Sequence, residues 1–473
     1  MLGLFGTLNL ASRSLQTQMT GVEVAGQNVA NVNTTGYSRQ RVVITSGPDL
    51  ATGIGPEGTG ANAVAIQQVV SNLLNSQIQS QGSTAGYWGA QQDAFKSAQN
   101  GLNEFLNGTG STSSTSSTST DTAGTGLSAQ LNGLFAAFQS VATSPTSASA
   151  RQELVGAAQT LASTFNNINT QFSNVKDSLN ASLGNDVGSA NKLLTEIATL
   201  NKQITTSEFN GGNANDLRDT REQDLENLAK LTNITTSTGT NGVNVTIGGE
   251  TLVSGYQLQD TLQTYDAGNG QYFVQTANSG VNLTLTGGSM QGTIDARDGT
   301  LATMQTSVNT LASTLMTQVN LLHSSGYSLT GTTGANFFTG TDAATMTVNA
   351  ALANDPSLIQ ASGSATATGD NSVMLKMAQL ADTAQTALNN QTFTGSYNAT
   401  VAELGTALSG ANTQVTNQEK VTTMLATQRG SVSGVNMDEE MTNLLSFQRA
   451  YQASASLVKT VDELLTTTIG LKN

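Results

Sequence analysis

Residues 4–36 read LFGTLNLASRSLQTQMTGVEVAGQNVANVNTTG, and their apolar side chains recur at every third or fourth position from Leu4 to Val32. This spacing predicts one amphipathic helix of about eight turns. Asn and Gly are frequent in residues 31–36, and they supply the left-handed or side-chain-bonded conformations that end helices. We therefore expect the helix to end there.

A second apolar stripe of similar length and period runs from Met437 to Ile469. Asn436 stands immediately before it and is the expected N-cap, and Glu439, three residues later, completes the pattern of a capping box. Acidic residues in this first turn also complement the positive end of the helix dipole. Both ends of the sequence are therefore predicted to be long amphipathic helices.

Both stripes approach the heptad period of a coiled coil, so the economical arrangement pairs the two helices in one domain. A two-helix rod leaves apolar surface uncovered, and neighbouring copies of the chain can bury it. We also expect Arg39 and Arg41, just after the first helix, to clamp that helix onto the shaft formed by the central helices. The predicted assembly interface consists of Leu4, Leu8, Leu15, Met19, Val22, Val29, Met441, Leu444, Phe447, Tyr451, Val458, Val461 and Leu465.

The composition limits the possible partners and chemistry. Charged residues make up 11% of the 473 residues, against about 25% in ordinary domains. The net charge of −14 is unfavourable for binding phosphate backbones or anionic lipid, so we expect neither a nucleic-acid nor a membrane partner. The sequence has no cysteine, no apolar run long enough to span a bilayer and no ordinary signal peptide. Its four prolines leave room for long helices.

Between the two ends the pattern predicts a mainly α protein with a small β-rich insertion. The helical segments are expected at 73–106, 127–141, 151–179, 183–206, 216–231, 301–322 and 373–428. A strand is expected at 63–69, and the Ser/Thr/Gly tract at 108–126 is predicted to be a surface loop. Alternating strands and turn dipeptides fill 232–296, with a hairpin formed by 261–265 and 271–275.

This pattern predicts three domains. Residues 1–35 with 434–473 would form the terminal assembly domain, and 36–231 with 297–433 would form a discontinuous helical shaft. Residues 232–296 would form a small outer β domain.

The motifs that suggest chemistry have simpler structural explanations. Residues 53–58 fit G-x-G-x-x-G, but a strand follows them and no acidic residue stands at the position that would bind a ribose, so we interpret them as a turn. His323 is the only histidine and is expected to pack locally. Arg218 and Glu222 have the spacing of an i,i+4 pair on a solvated or interdomain helix face. We predict no catalytic, cofactor-binding or metal-binding residue.

Four strings carry a resemblance to a known family. Residues 28–37, NVANVNTTGY, resemble the segment that closes the first helix in the flagellar axial proteins, which comprise rod, hook and hook-associated proteins. Residues 446–455, SFQRAYQASA, are similar in style across that superfamily. The continuation YSRQ at 37–40, together with SVSGVNMDEE at 431–440, resembles in particular the first hook-associated proteins of the hook–filament junction.

The resemblance implies a structural protein that is exported unfolded through the flagellar channel, without a cleaved signal peptide, and folds outside the cell as a ring joining hook to filament. Its implied partners are further copies of itself, the hook protein, neighbouring junction proteins and an export chaperone. A hook or distal rod subunit is an alternative in the same class. A secreted glycan-binding adhesin or hydrolase, using Tyr256, Tyr265, Tyr272 and Phe273, is an alternative of a different class.

Overall fold

A computed structural model describes residues 3–52, 55–106, 126–209, 211–268 and 270–471. Apart from Gly126, the predicted loop at 108–126 lies outside these residues. The prediction of a mainly α fold is confirmed. The helices are α1 (Leu4–Ala30), α2 (Asn72–Leu106), α3 (Leu127–Thr143), α4 (Ala148–Glu208), α5 (Asn215–Leu231), α6 (Gly288–Asp295), α7 (Ala302–His323), α8 (Ala350–Asn354), α9 (Ser372–Gln379), α10 (Phe393–Ser433) and α11 (Met437–Gly470).

The strands form small antiparallel sheets. They are β1 (Gln40–Ser46), β2 (Leu50–Thr52), β3 (Gly55–Glu57), β4 (Ala61–Gln68), β5 (Ile234–Gly239), β6 (Gly242–Ile247), β7 (Glu250–Ser254), β8 (Gln257–Leu258), β9 (Leu262–Asp266), β10 (Tyr272–Thr276), β11 (Phe338–Thr339) and β12 (Thr347–Val348). Strands β5 to β8 form one four-stranded sheet, and the others pair two by two.

Helices α1 and α11 pack side by side in opposite directions. Asn28 near the end of α1 contacts Glu440 at the start of α11. Seven residues away on each helix, Gly21 of α1 lies against Phe447 of α11. A Cβ at Gly21 would lie 2.5 Å from Cδ1 of Phe447, so the glycine lets the aromatic ring approach the α1 backbone. The two ends of the described chain therefore meet in one helical pair.

A β-hairpin lies along α1. Strand β1 pairs with β4 from Gln40 opposite Gln68 to Ser46 opposite Ala61, and the Thr17 hydroxyl donates to the Ala61 carbonyl at 3.0 Å. The sequence predicted the second of these strands but missed β1. The hairpin tip, β2 paired with β3, includes part of the G-x-G-x-x-G string in strand conformation, while Gly53 and Ile54 lie outside the described residues.

Two predicted helix boundaries are wrong. The helices expected at 151–179 and 183–206 are one helix, α4, because Leu179 and Leu183 continue the same buried face across the gap between them. The single helix expected at 373–428 is instead α9 and α10, separated by residues 380–392. Asn389 and Asn390, shortly before α10, have positive φ angles of 55° and 59°, a conformation that Asn tolerates but that does not continue a right-handed helix.

Two apolar cores lie along α4. The first joins α3, α7, α9 and α10 to the N-terminal half of α4, and its large side chains include Phe138, Phe165, Phe337 and Phe393. The second joins α5, α6 and the four-stranded sheet to the C-terminal half, around Leu194, Leu228, Val245, Leu252 and Met290. Because α4 contributes to both cores, it fixes the β-rich part on the helical part.

The predicted hairpin in the β-rich part is confirmed, since β9 pairs with β10 and Phe273 lies opposite Tyr265. The β-rich part ends earlier than predicted, because residues 288–295 already form α6. Met290 and Ile294, four residues apart, are both buried on one face of that helix. Helix α6 continues into α7 through a π-helical segment, Ala296–Leu301.

Asp260 fastens the loop after β10. One carboxylate oxygen accepts hydrogen bonds from the N–H groups of Thr261 (2.7 Å) and Asn278 (2.9 Å), and the other accepts from the N–H and hydroxyl of Ser279 (2.9 Å each). Burial alone would raise the pKa of Asp260, but these bonds to the charged form outweigh it and lower the pKa to about 2. The ionised carboxylate therefore stabilises the fold at neutral pH.

We expect Asp260→Asn to lower the free energy of unfolding by about 2 kcal/mol at pH 7, because the amide's NH₂ group faces N–H donors. The contribution of Asp260 is present above pH 4 or so and is lost as the pH falls toward about 2. Denaturant unfolding followed by circular dichroism measures both effects. Glu250→Gln, at an exposed position of β7, is the matched control, and an equal loss in both variants would contradict this role.

His323, at the end of α7, is fully buried. Its Nδ1 lies 2.7 Å from the Ala335 carbonyl oxygen, and its Nε2 accepts a hydrogen bond from the Gln360 N–H at 3.0 Å. The ring is therefore neutral with its proton on Nδ1. Burial lowers the pKa of His323 to about 4, slightly opposed by the bond to Ala335.

Because His323 is buried, we expect the folded protein to lose stability at pH values above those at which carboxylates titrate. Between pH 6.5 and pH 4 the unfolded chain binds a proton at His323 that the folded chain rejects, so stability falls as the pH falls. We expect a loss of about 2 kcal/mol between pH 7 and pH 5 from this group. Denaturant unfolding at each pH tests this. A His323→Gln variant with the same slope over that interval would contradict it.

Candidate assembly interface

The α1–α11 seam is narrow and built from small side chains. On α1 the buried residues are Ala11, Thr17, Gly21, Val24, Ala25 and Asn28. On α11 only Glu440 and Val461 are buried among the described residues. Much of the apolar surface of both helices is therefore left outside the seam.

The structure distributes the predicted interface residues over three environments. Val461 is buried in the seam, at 3% exposure, whereas Met19, Met441 and Tyr451 are exposed. The remaining nine are partly buried along the edges of the seam, namely Leu4, Leu8, Leu15, Val22, Val29, Leu444, Phe447, Val458 and Leu465. That this set binds other subunits stays a prediction.

Two rows of exposed apolar side chains lie on and just after α11, and the stripe pattern included only Met437 and Met441 among them. Met437, Met441 and Leu445 are spaced by four residues, and we call them the first flank. Leu457, Leu464 and Leu471 are spaced by seven, and we call them the second flank. All six are between 38% and 83% exposed. The heptad spacing of the second flank was the available sequence signal.

The two flanks lie on opposite sides of the seam. At the usual rotation of about 100° per residue, the first flank lies roughly a third of a turn to one side of the Phe447–Val461 line. The second flank lies less than a quarter of a turn to the other side. The helical pair therefore presents apolar surface in two directions.

A polar junction fixes the helical pair on the hairpin. Asn28 is almost fully buried, and its amide donates to the Gln40 carbonyl (2.8 Å) and to Glu440 Oε2 (3.0 Å). Its oxygen accepts from the Tyr37 hydroxyl (2.8 Å) and the Gln40 N–H (3.0 Å). Burial, with nearby carboxylates, raises the pKa of Tyr37 to about 12. Asn28 thus uses its full hydrogen-bonding capacity to join α1, β1 and α11.

Arg39 joins the same helices rather than clamping α1 onto the shaft, so that prediction is wrong in its partner. Its guanidinium lies 2.7 Å from the buried Glu440 carboxylate and 3.0 Å from Glu439. Arg39 pairs with Glu439 and Glu440 because both carboxylates lie in the first turn of α11, next to Arg39. Arg41 instead reaches Gln67 across the hairpin, at 3.4 Å. Asn436 occupies the N-cap of α11, with its side chain accepting from the N–H groups of Asp438 and Glu439.

The predicted i,i+4 pair on α5 is not formed. Arg218 binds Glu208 through two hydrogen bonds of 2.8 and 2.7 Å, and Glu222 accepts from Gln79 at 2.8 Å. The hydrogen bonds from Arg218 lower the pKa of Glu208. Partners from α4 and α2 displace the local pair because α5 is packed between those helices.

Other charged residues of α5 hold the base of the terminal helices. Asp219 accepts from the N–H and hydroxyl of Ser38, at 2.9 and 2.6 Å, and Glu226 pairs with Arg429 near the end of α10. Burial raises the pKa of Asp219. These contacts support the interdomain interpretation of the charged face. They place both chain connections of the terminal pair against α5.

None of the helices in the described ranges is long and apolar enough to cross a bilayer. Those same ranges contain no group of three or more His, Asp or Glu side chains arranged to hold a metal ion.

Comparison with known families identifies two matching regions. Residues 112–338 match the family model "Flagellar hook-associated protein FlgK helical domain". Residues 428–471 match the model "Flagellar basal body rod FlgEFG protein C-terminal". The second match covers all of α11 and both flanks.

Comparison with single proteins extends the similarity to nearly the whole chain. Flagellar hook-associated protein 1 of Bacillus subtilis is 27% identical, and the alignment covers 98% of this chain and 98% of that protein. Flagellar hook-associated protein 1 of Salmonella typhimurium is 23% identical over 98% of this chain and 99% of that protein. The structure of the flagellar hook junction protein FlgK from Burkholderia pseudomallei matches with a TM-score of 0.63 at 17% identity, covering 77% of this chain and all of that one. The last similarity concerns the fold alone.

Proposed function

Because the chain belongs to the family of flagellar hook-associated protein 1, with a structural role at the hook–filament junction, we propose that its copies form a ring by packing their terminal helices together. The observation that carries this proposal is the pair of apolar flanks on opposite sides of the α1–α11 seam. A subunit with two different apolar surfaces facing two directions makes head-to-tail contacts. Such contacts close into a ring when the rotation between neighbouring subunits brings the last subunit back to the first.

The small apolar area of each flank favours assembly of subunits onto an existing hook end over association of free subunits in solution. Burying a whole Leu or Met side chain contributes roughly 1.5–3 kcal/mol, and the flank residues start about half exposed, so each contributes about 1 kcal/mol. One flank of three residues thus gives only about 3 kcal/mol, too little to hold two free subunits together. Contacts with an existing hook end and with two neighbours at once would add to it.

We propose that the chain is divided as the sequence predicts. Residues 1–35 with 434–473 form the assembly domain, 36–231 with 297–433 form the shaft, and 232–296 form the outer domain. The seam between α1 and α11 supports the first. The second core is centred on the sheet of the outer domain, and α5 and the C-terminal half of α4, which belong to the shaft, also contribute to it. The polar junction around Asn28 and the contacts of Asp219 would transmit the orientation of the assembly domain to the shaft.

The family is a structural flagellar one, and we propose that this chain has no enzymatic activity. Three charged residues of α5 that could suggest acid–base chemistry, Arg218, Asp219 and Glu222, bond to other elements of the fold. Assembly with flagellar components follows from the family. We further propose the hook protein and neighbouring junction proteins as its contacts, an export chaperone as its partner before assembly, and export through the flagellar channel.

Immunogold electron microscopy of intact flagella tests the location. An antibody against residues 232–296 should label one band where hook meets filament, and flagella from a strain lacking the gene should show no label. Label along the hook or rod would favour the alternative of a hook or rod subunit, which the match at 428–471 also allows. Label on cells without flagella would favour the glycan-binding adhesin.

A further inference from the structure

The methionines of this chain fall into two groups. The sequence has 11 methionines and no cysteine, and the structure describes ten of the methionines. Six of the ten are at most 3% exposed: Met290, Met304, Met316, Met346, Met374 and Met377. The other four are 46–60% exposed: Met19, Met424, Met437 and Met441. Intermediate values do not occur among them.

The exposed group is concentrated at one end of the fold. Met437 and Met441 belong to the first flank, and Met19 lies on α1 of the same helical pair. Met424 lies in the last quarter of α10, the helix that leads into α11. The six buried methionines belong to the two cores of the shaft and the β-rich part. Accessible sulfur is therefore confined to the assembly domain and the helix end beside it.

A thioether sulfur reacts with hydrogen peroxide by attacking one peroxide oxygen. The S–O bond forms as the O–O bond breaks, the sulfur loses two electrons, and the second oxygen leaves as water after taking up the proton of the first. The product, methionine sulfoxide, is polar and disrupts apolar contacts made by methionine. Without cysteine in the chain, no thiol competes for the oxidant.

We propose that Met19, Met424, Met437 and Met441 form an oxidation-sensitive modification site that blocks incorporation of the free subunit when converted to sulfoxides. The inference rests on the proposed function. Oxidation removes the apolar contact of each flank methionine and adds the unfavourable burial of a polar oxygen without a partner. Oxidation of the first flank alone therefore outweighs what that flank contributes to assembly.

The site is open only before assembly. In the ring, the first flank is covered by a neighbouring subunit, so peroxide reaches these sulfur atoms more slowly. Oxidation therefore acts on subunits that have not yet joined, and a reductase that converts sulfoxide back to methionine restores them.

The test begins with hydrogen peroxide treatment of the purified full chain, followed by mass spectrometry of its peptides. We expect the four exposed methionines to be oxidised at least tenfold faster than the six buried ones. Treated, untreated and reductase-repaired chain are then added to isolated hooks from a strain lacking this protein. We expect treated chain to join at least fivefold less than untreated chain, and repaired chain to join as untreated chain does.

Variants identify the positions that matter. Met437→Leu with Met441→Leu removes the reactive sulfurs of the first flank with little change of volume, and Met374→Leu is the matched change in the core. Each preparation is compared with its own untreated half. The flank variant should lose less incorporation on treatment than the Met374→Leu variant does.

Three results would overturn the inference. Equal oxidation rates at all ten methionines would remove its structural basis. Oxidised chain that joins hooks as well as untreated chain would overturn the inference and leave the proposed function standing. Untreated chain that does not join hooks would overturn the proposed function, and the inference with it.

Discussion

Incorporation at the hook end is expected to fall at least 100-fold when Met441 and Leu464 are both replaced by Asp, while the folded subunit keeps its stability. Each side chain is about half exposed in the single chain, so a carboxylate there remains hydrated before assembly. In the ring, each carboxylate would be buried against apolar side chains without a partner, at a cost of several kcal/mol. Two measurements follow the loss. They are the amount of immunogold label in the band at the hook–filament junction and the rate of swimming in soft agar.

Leu321→Asp is the matched control, because Leu321 is also an exposed leucine on a helix, at 64% exposure, but lies on α7 in the shaft. That variant should assemble normally. Normal incorporation of the Met441→Asp, Leu464→Asp chain would contradict the role of the flanks. Unfolding of that chain at lower denaturant would instead show that the flanks stabilise the single subunit.

The largest effect on stability is expected at the crossing of α2 with α5 and α6. A Cβ at Gly86 would lie 2.0 Å from the Lys230 carbonyl oxygen, and a Cβ at Gly292 would lie 2.2 Å from the Tyr87 carbonyl oxygen. The obstructing atoms are backbone, so no change of rotamer relieves the overlap. We expect Gly292→Ala to lower the free energy of unfolding by about 3 kcal/mol, and Gly86→Ala by a similar amount.

Gly89→Ala is the control within the same helix. A Cβ there meets no atom of the described residues within 4 Å, and Ala is the better helix former by up to about 1 kcal/mol. Denaturant unfolding should therefore show opposite signs for Gly89→Ala and Gly86→Ala. Equal midpoints for the two variants would contradict the close approach of α2 to α5.

The terminal helices could be predicted almost to the residue because their signal is local. Apolar periodicity, the absence of proline and the Asn-rich end of the first stripe all lie within the segments they describe. Strand β1 was missed because only its pairing with β4 makes 40–46 a strand, and that pairing has a bulge after Val43. The break between α9 and α10 includes two Asn residues with positive φ, which the apolar pattern does not register.

The pairing of the terminal helices was predicted from the sequence, but the side chains that line the seam between them were not. Periodicity cannot tell which apolar side chains fill the intramolecular seam and which remain outside it, because both recur at helical spacing. Gly21 helps decide the division, since it lets Phe447 of α11 approach the α1 backbone. The junction around Asn28 was beyond local reasoning because Glu440, its partner, is 412 residues away in the sequence.

Thiol labelling measures most directly whether the flanks are buried between subunits. The chain has no cysteine, so single variants Met441→Cys, Leu464→Cys and Leu321→Cys each carry one thiol. A maleimide reagent should label all three in the free subunit. In isolated hook–filament junctions it should label Leu321→Cys alone, with Met441→Cys and Leu464→Cys protected at least tenfold. Equal labelling of all three positions in assembled junctions would contradict assembly through the terminal helices.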